Sequence, residues 1–141
     1  MRALAYGTLF VMIVGTVSCS ERREVFFANG DAARRSGTVE RGWFPDWLPN
    51  DARDIREVHD VDTNQVLAAF RIDTDASRIL PPACAQTPRE TLEPVPFSVA
   101  WWPNDVPPSS LVTHRHVYYR CKDDAYVAVS TSDGQFYYWR P

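Results

Sequence analysis

His59-Asp60-Val61-Asp62-Thr63-Asn64 sets three oxygen-bearing side chains two residues apart beside a histidine. Asp60, Asp62 and Asn64 have the spacing of the first ligands of a calcium loop. Such a loop also needs glycine at its sixth position and a bidentate glutamate at its twelfth. Counted from Asp60, those positions hold Gln65 and Arg71, and an arginine there repels the ion. Asp and Asn also bond their own backbone and tolerate left-handed φ, so the segment is expected to be a turn between two strands. His114-Arg115-His116 is the second candidate. On a strand, residues two apart share a face, and two imidazoles could meet a zinc or copper ion there. The third ligand would have to be His59 or a distant acid, and a lone histidine pair more often faces solvent or bonds a carbonyl. No metal is assigned.

Nucleophilic chemistry has less to stand on. There is no Gly-x-Ser-x-Gly, and Ser109 and Ser110 lie in a proline loop with no evident base. Asp123-Asp124 and the pair Asp73 and Asp75 are ordinary surface features unless a cleft brings them together. The expectation is no enzyme and no cofactor. The alternative is a small periplasmic enzyme or metal-binding protein using His59, His114 and His116. Nucleic acid is not an expected partner: net charge is -3, and the arginines are scattered among acids rather than clustered.

The N-terminus speaks of location. Met1-Arg2 is a short positive start, and residues 3–17 are uncharged and apolar or small. This is the pattern of a secretory signal, and it is short for a membrane span of about 20 residues. Cys19 follows the small Ser18 and resembles the acylated cysteine of a bacterial lipobox, although Thr16 stands where that motif usually has Leu, Val or Ile. An ordinary cleaved signal or an uncleaved anchor would be the other readings. The expected division is a lipoprotein signal peptide at 1–18, a lipidated tether at 19–24 and one domain at 25–141. The anchor would be palmitate or a similar chain on Cys19, in the lipid bilayer. Ser20 after the cysteine resembles outer-membrane sorting, so the domain would face the periplasm from the inner leaflet of that membrane. Cys84 and Cys121 remain, and in an oxidising compartment a disulfide is favoured over free thiols or a metal pair.

The elements that must position all this are short. Asn29 can cap a helix begun by Gly30-Asp31 and ended by Gly37. Val25-Phe26-Phe27 is a strand or a staple. Gly42-Trp43-Phe44-Pro45-Asp46-Trp47-Leu48-Pro49 is too proline-rich for regular structure and too apolar for a linker, so its aromatics should pack on the sheet. Strands are expected near 55–61, 66–72, 117–121, 126–131 and 136–139. Thr74 to Arg78 reads as a short capped helix, and the five prolines of 81–96 make that stretch a loop. Asp133-Gly134 suggests a two-residue hairpin turn pairing Thr131 with Phe136 and Val129 with Tyr138. The fold class expected is a small single α+β domain: an antiparallel sheet of about five strands, short helices and one disulfide.

Aromatic residues fill cores, but those with polar tips also favour interfaces. Trp43, Trp47, Trp102, Tyr118 and Tyr137 are the candidate binding face. The run from Arg41-Gly42-Trp43 through Leu48-Pro49, followed by Ala52, Asp54-Ile55 and His59-Asp60-Val61-Asp62-Thr63-Asn64, resembles a group of uncharacterised bacterial lipoproteins, the YbbD head-domain-like family. The resemblance runs over most of the mature chain in pattern. It implies an envelope lipoprotein and supplies no catalytic residues. The function expected is therefore a membrane-anchored, non-catalytic interaction domain with an unknown envelope protein or polymer as partner.

Overall fold

The computed structural model describes residues 21–107 and 115–141. The leader, Cys19, Ser109, Ser110 and His114 lie outside these residues. Strands β1 (Arg22–Asn29), β2 (Arg53–Asp60), β3 (Gln65–Arg71), β4 (Ala85–Gln86), β5 (His116–Arg120), β6 (Tyr126–Ser130) and β7 (Gln135–Arg140) form one sheet in the order β1-β2-β3-β7-β6-β5-β4. Every pairing is antiparallel. The one α-helix among the described residues, α1 (Gly30–Arg35), has six residues.

This corrects the α+β expectation of five strands. The described residues form an antiparallel sheet of seven strands with almost no helix. Helix nucleation is costly, and a short segment must be held by caps and packing. Only α1 has both: the Asn29 side chain accepts a hydrogen bond from the Ala32 amide, and Ala33 is fully buried. Residues 74–78 make only a 3₁₀ turn at Ala76–Arg78. The two strands beyond the expected five are the edges, and β1 takes the strand alternative for Val25-Phe26-Phe27. β4 is two residues of the proline loop paired to β5. β1 starts at Arg22, so Arg22, Arg23 and Glu24 of the expected tether pair with Asp60, His59 and Val58. Charge on an edge strand faces water and is tolerated there.

Residues 61–64 are the hairpin turn between β2, which ends at His59-Asp60, and β3, as the side-chain chemistry implies. Asp60 Oδ1 accepts from the amides of Asp62 (3.1 Å) and Thr63 (3.2 Å), and Asn64 adopts φ 61°. The C-terminal meander β5-β6-β7 also forms, but its last register differs from the expected one. Val129 pairs with Phe136 and Val127 with Tyr138, leaving a four-residue loop at 131–134. A two-residue turn of the expected kind needs positive φ at both central positions; Gly134 has φ +68°, while Asp133 is not among the positive-φ residues. A Cβ on Gly134 would also stand 2.1 Å from the Ile72 carbonyl oxygen.

Both sheet faces carry chain. On one, Ala33, Val39, Phe44 and Leu48 pack on Ile55, Val66, Ala68, Phe70, Phe136 and Tyr138. This is the sealed face. Within its cover, α1 and the tryptophan-proline segment lie so close that a Cβ on Gly30 would fall 1.9 Å from the Pro49 carbonyl oxygen. On the other, Phe97, Trp102 and Val106 pack on Val58, Leu67, Tyr118, Tyr126 and Trp139. Cys84 and Cys121 are bonded, tying the β4 loop to the end of β5.

Candidate functional site

β2 alternates its side chains between the two faces. Ile55, Glu57 and His59 point to the sealed face, and Arg56 and Val58 to the opposite one. Glu57 is fully buried, and its Oε1 lies 2.8 Å from His59 Nδ1. Trp43 stacks on His59 with ring centroids 4.0 Å apart. Burial drives the Glu57 carboxyl up to about 8, against a smaller opposing pull from Arg41. Burial also lowers His59, helped by Arg23 and Arg41 and opposed by Asp60. One proton shared between a neutral acid and a neutral imidazole joins Glu57 Oε1 to His59 Nδ1. Glu57 Oε2 has no hydrogen-bond partner among the described residues. The pair sits under a closed cover.

Asp60 behaves differently. Burial raises its carboxyl, but the Thr63 and Asp62 amides and Arg22 outweigh that and hold it below the usual range. Arg140 bonds the Asn64 carbonyl and side-chain oxygens, both at 3.0 Å. The oxygens of Asp60 and Asn64 serve the backbone and two arginines, Arg22 and Arg140.

The described residues cover the opposite face over only part of its width. The row Glu24-Val58-Leu67-Trp139 lies beside the cover, whose Trp101 donates its indole N–H to Glu24. The next row, Phe26-Arg56-Ala69-Tyr137, borders a groove of about 520 Å³. Trp101 and Arg71 complete its walls. Phe26 is 60% exposed, the largest exposure among the large hydrophobic side chains described. The Arg56 guanidinium carbon stands 5.8 Å from the Phe26 ring centroid. Arg71 approaches Asp54 at 3.8 Å, and the Asp54 side chain is exposed. This face is the open face.

The five aromatics expected to share one binding face divide between the two. Trp43 and Trp47 pack on the sealed face, Trp47 with its edge toward Phe70. Trp102, Tyr118 and Tyr137 belong to the opposite cluster, where Trp102 and Tyr118 are buried. Only Tyr137 of the five reaches the groove. His59 and His116 also lie on opposite faces, His59 under Trp43 and His116 against Tyr137 at 5.7 Å. Sequence reading passed over Phe26, Arg56 and Glu57. The available signal was period two in β2, which puts Glu57 and His59 on one face. The apolar residues of the stretch 55–61 do not mark that period: Ile55 and Val58 face opposite ways, and Val61 lies beyond the strand and is exposed.

Compared with known families, the chain matches the model of the YbbD head domain over residues 21–71. The chain is similar to that family across β1, α1, the tryptophan-proline segment, β2 and β3. The match is narrower than the motif pattern implies: β4 to β7 and the disulfide lie beyond it. Phe26, Arg56, Ala69 and Arg71 of the groove fall inside it, and Trp101 and Tyr137 outside. No curated protein and no solved structure matches the chain.

Proposed function

We propose that this protein is an envelope lipoprotein, anchored by an acyl chain on Cys19, whose sheet domain is a non-catalytic interaction module facing the periplasm. The observation that carries the interaction reading is the exposed pair Phe26 and Arg56 at the outer end of the row Phe26-Arg56-Ala69-Tyr137, beside a sheet that the described residues otherwise pack on both faces. An exposed aromatic with a guanidinium at its side is a docking chemistry, since aromatics and arginine are enriched where proteins meet. The anchor reading rests on the uncharged leader and the placement of Cys19. The Cys84–Cys121 disulfide agrees with an oxidising compartment. The competing reading, chemistry by His59, His114 and His116, gains nothing from His59 and His116 lying across the sheet from each other.

The test has two readouts on the full chain made in a bacterial host. Intact mass is expected to lack residues 1–18 and to carry acyl chains. Crosslinking in whole cells should capture a partner whose yield drops when Phe26 and Tyr137 are changed to alanine. An unacylated mass overturns the anchor, and an unchanged crosslinking pattern overturns the docking surface.

A further inference from the structure

We propose that the groove receives an acidic, extended peptide segment of a partner protein, laid along β1 as an added strand with a carboxylate on Arg56. This rests on the interaction reading above and specifies its partner. Among the described residues β1 is the last strand on its side of the sheet and pairs only with β2, so none of them pairs with its outer edge over eight residues. The other edge, β4, has two. A free edge offers a row of backbone donors and acceptors to an incoming strand. The N-terminal half of β1 is guarded by Arg22, Arg23 and Glu24, whereas residues 25–29 carry no charge. The unguarded half holds Phe26, whose ring lines the groove. A strand added there would set alternate side chains over Phe26 and toward Arg56.

Charge selects what those side chains should be. Arg56 takes part in none of the ion pairs among the described residues, and its neighbour in the groove is the Phe26 ring. Arg71 and Asp54 offset one another, so the groove is locally cationic in a chain of net charge -3. A guanidinium lying over a ring keeps its donors for a carboxylate, which it holds in a planar, bidentate way. A glycan is the poorer fit: the most exposed ring is already occupied on one face by Arg56. Nucleic acid is the poorer fit again, because one net positive charge neutralises too few phosphates.

The probe is p-benzoylphenylalanine in place of Phe26 in the full-length protein, in cells of its own type of host. The control position is Glu40, exposed on the turn that covers the sealed face. Ultraviolet light should yield an adduct from position 26 and none from 40. Mass spectrometry should map it to a segment of another protein with Asp or Glu within two residues of the crosslink. Arg56→Glu should reduce the yield roughly tenfold and Arg56→Lys should keep most of it; an unchanged melting temperature of Arg56→Glu controls for folding. The inference is overturned if the adduct is a second copy of this chain, a glycan or a lipid, or if Arg56→Glu leaves the yield unchanged. If position 26 captures nothing while the same probe at Trp47 captures a partner, the interaction reading stands and this inference falls. If no position captures anything, both fall.

Discussion

The two faces of the sheet meet the same problem with different results. On the sealed face, the chain from Gly30 to Ala52 lies over β2, β3 and β7 and leaves Phe44, Leu48 and Ala52 at 2% exposure or less. Even the acid and imidazole of Glu57 and His59 are shut in. On the open face, a proline-rich stretch covers Val58, Leu67 and Trp139 and stops at Trp101, one row short of Phe26 and Arg56. Strands at the centre of a sheet must bury both sides, and β3 does so almost without a break. A two-sided core thus needs two covers, but only one has to be complete. The incomplete one leaves aromatic and cationic surface at the edge strand, where a partner's backbone can also be paired.

The sharpest way to break this comparison is to remove one large side chain from each face. Phe70, fully buried and stacked on Phe136 at 5.3 Å, should cost about 3–5 kcal/mol on change to alanine, read from urea unfolding. A loss under 1 kcal/mol would mean the sealed face is not the stabilising one. The disulfide comes next. Cys84→Ser with Cys121→Ser opens a loop with a sequence separation of 37 and should cost about 3–4 kcal/mol, seen as the same urea midpoint shift that reductant produces in the native protein.

Glu57 sharpens the comparison through pH. Its folded carboxyl titrates at about 8, above the ordinary value of 4.5, so the stability it supports is present at low pH and is lost as pH rises toward 8. His59 is lowered, so its contribution is lost as pH falls below 6.5. Arg41, Arg23 and Asp60 are the charged groups bearing on this pair. The two slopes oppose each other below about pH 6.5 and leave the Glu57 slope alone above it, about 1.4 kcal/mol per pH unit. Stability should therefore fall by about 2 kcal/mol between pH 6.5 and 8. Glu57→Gln should remove that fall and be the more stable protein at pH 8, measured by thermal melts across the range. Parallel curves for the two proteins would show that the pair does not titrate in this way. The smallest effect belongs to the open face: Phe26→Ala should change stability by no more than about 0.5 kcal/mol, since an exposed side chain has little contact to lose. A larger loss in the same urea measurement would make Phe26 part of the core.

What was legible in the sequence is what neighbouring residues decide among themselves. Asn29 caps α1, Asp60 and Asn64 build the turn between β2 and β3, and Tyr126 to Ser130 pairs with β7 because its residues alternate between two buried faces. The tryptophan-proline segment is irregular and packed, as its composition requires. The sequence determined these because capping, turn and strand preferences act over a few residues. Only the tertiary structure decided the rest. Whether Arg22 to Glu24 is tether or strand depends on β2 lying beside it. Burial of Glu57 depends on the cover that Trp43 and Arg41 bring down over it from far along the chain. The split of the five aromatics between two faces follows from the order in which strands stack, and so does the groove: Phe26, Arg56, Ala69 and Tyr137 are distant in sequence and adjacent only through register. Side-chain chemistry is written locally, but exposure belongs to the assembled sheet, because it depends on which segment reaches far enough to cover it.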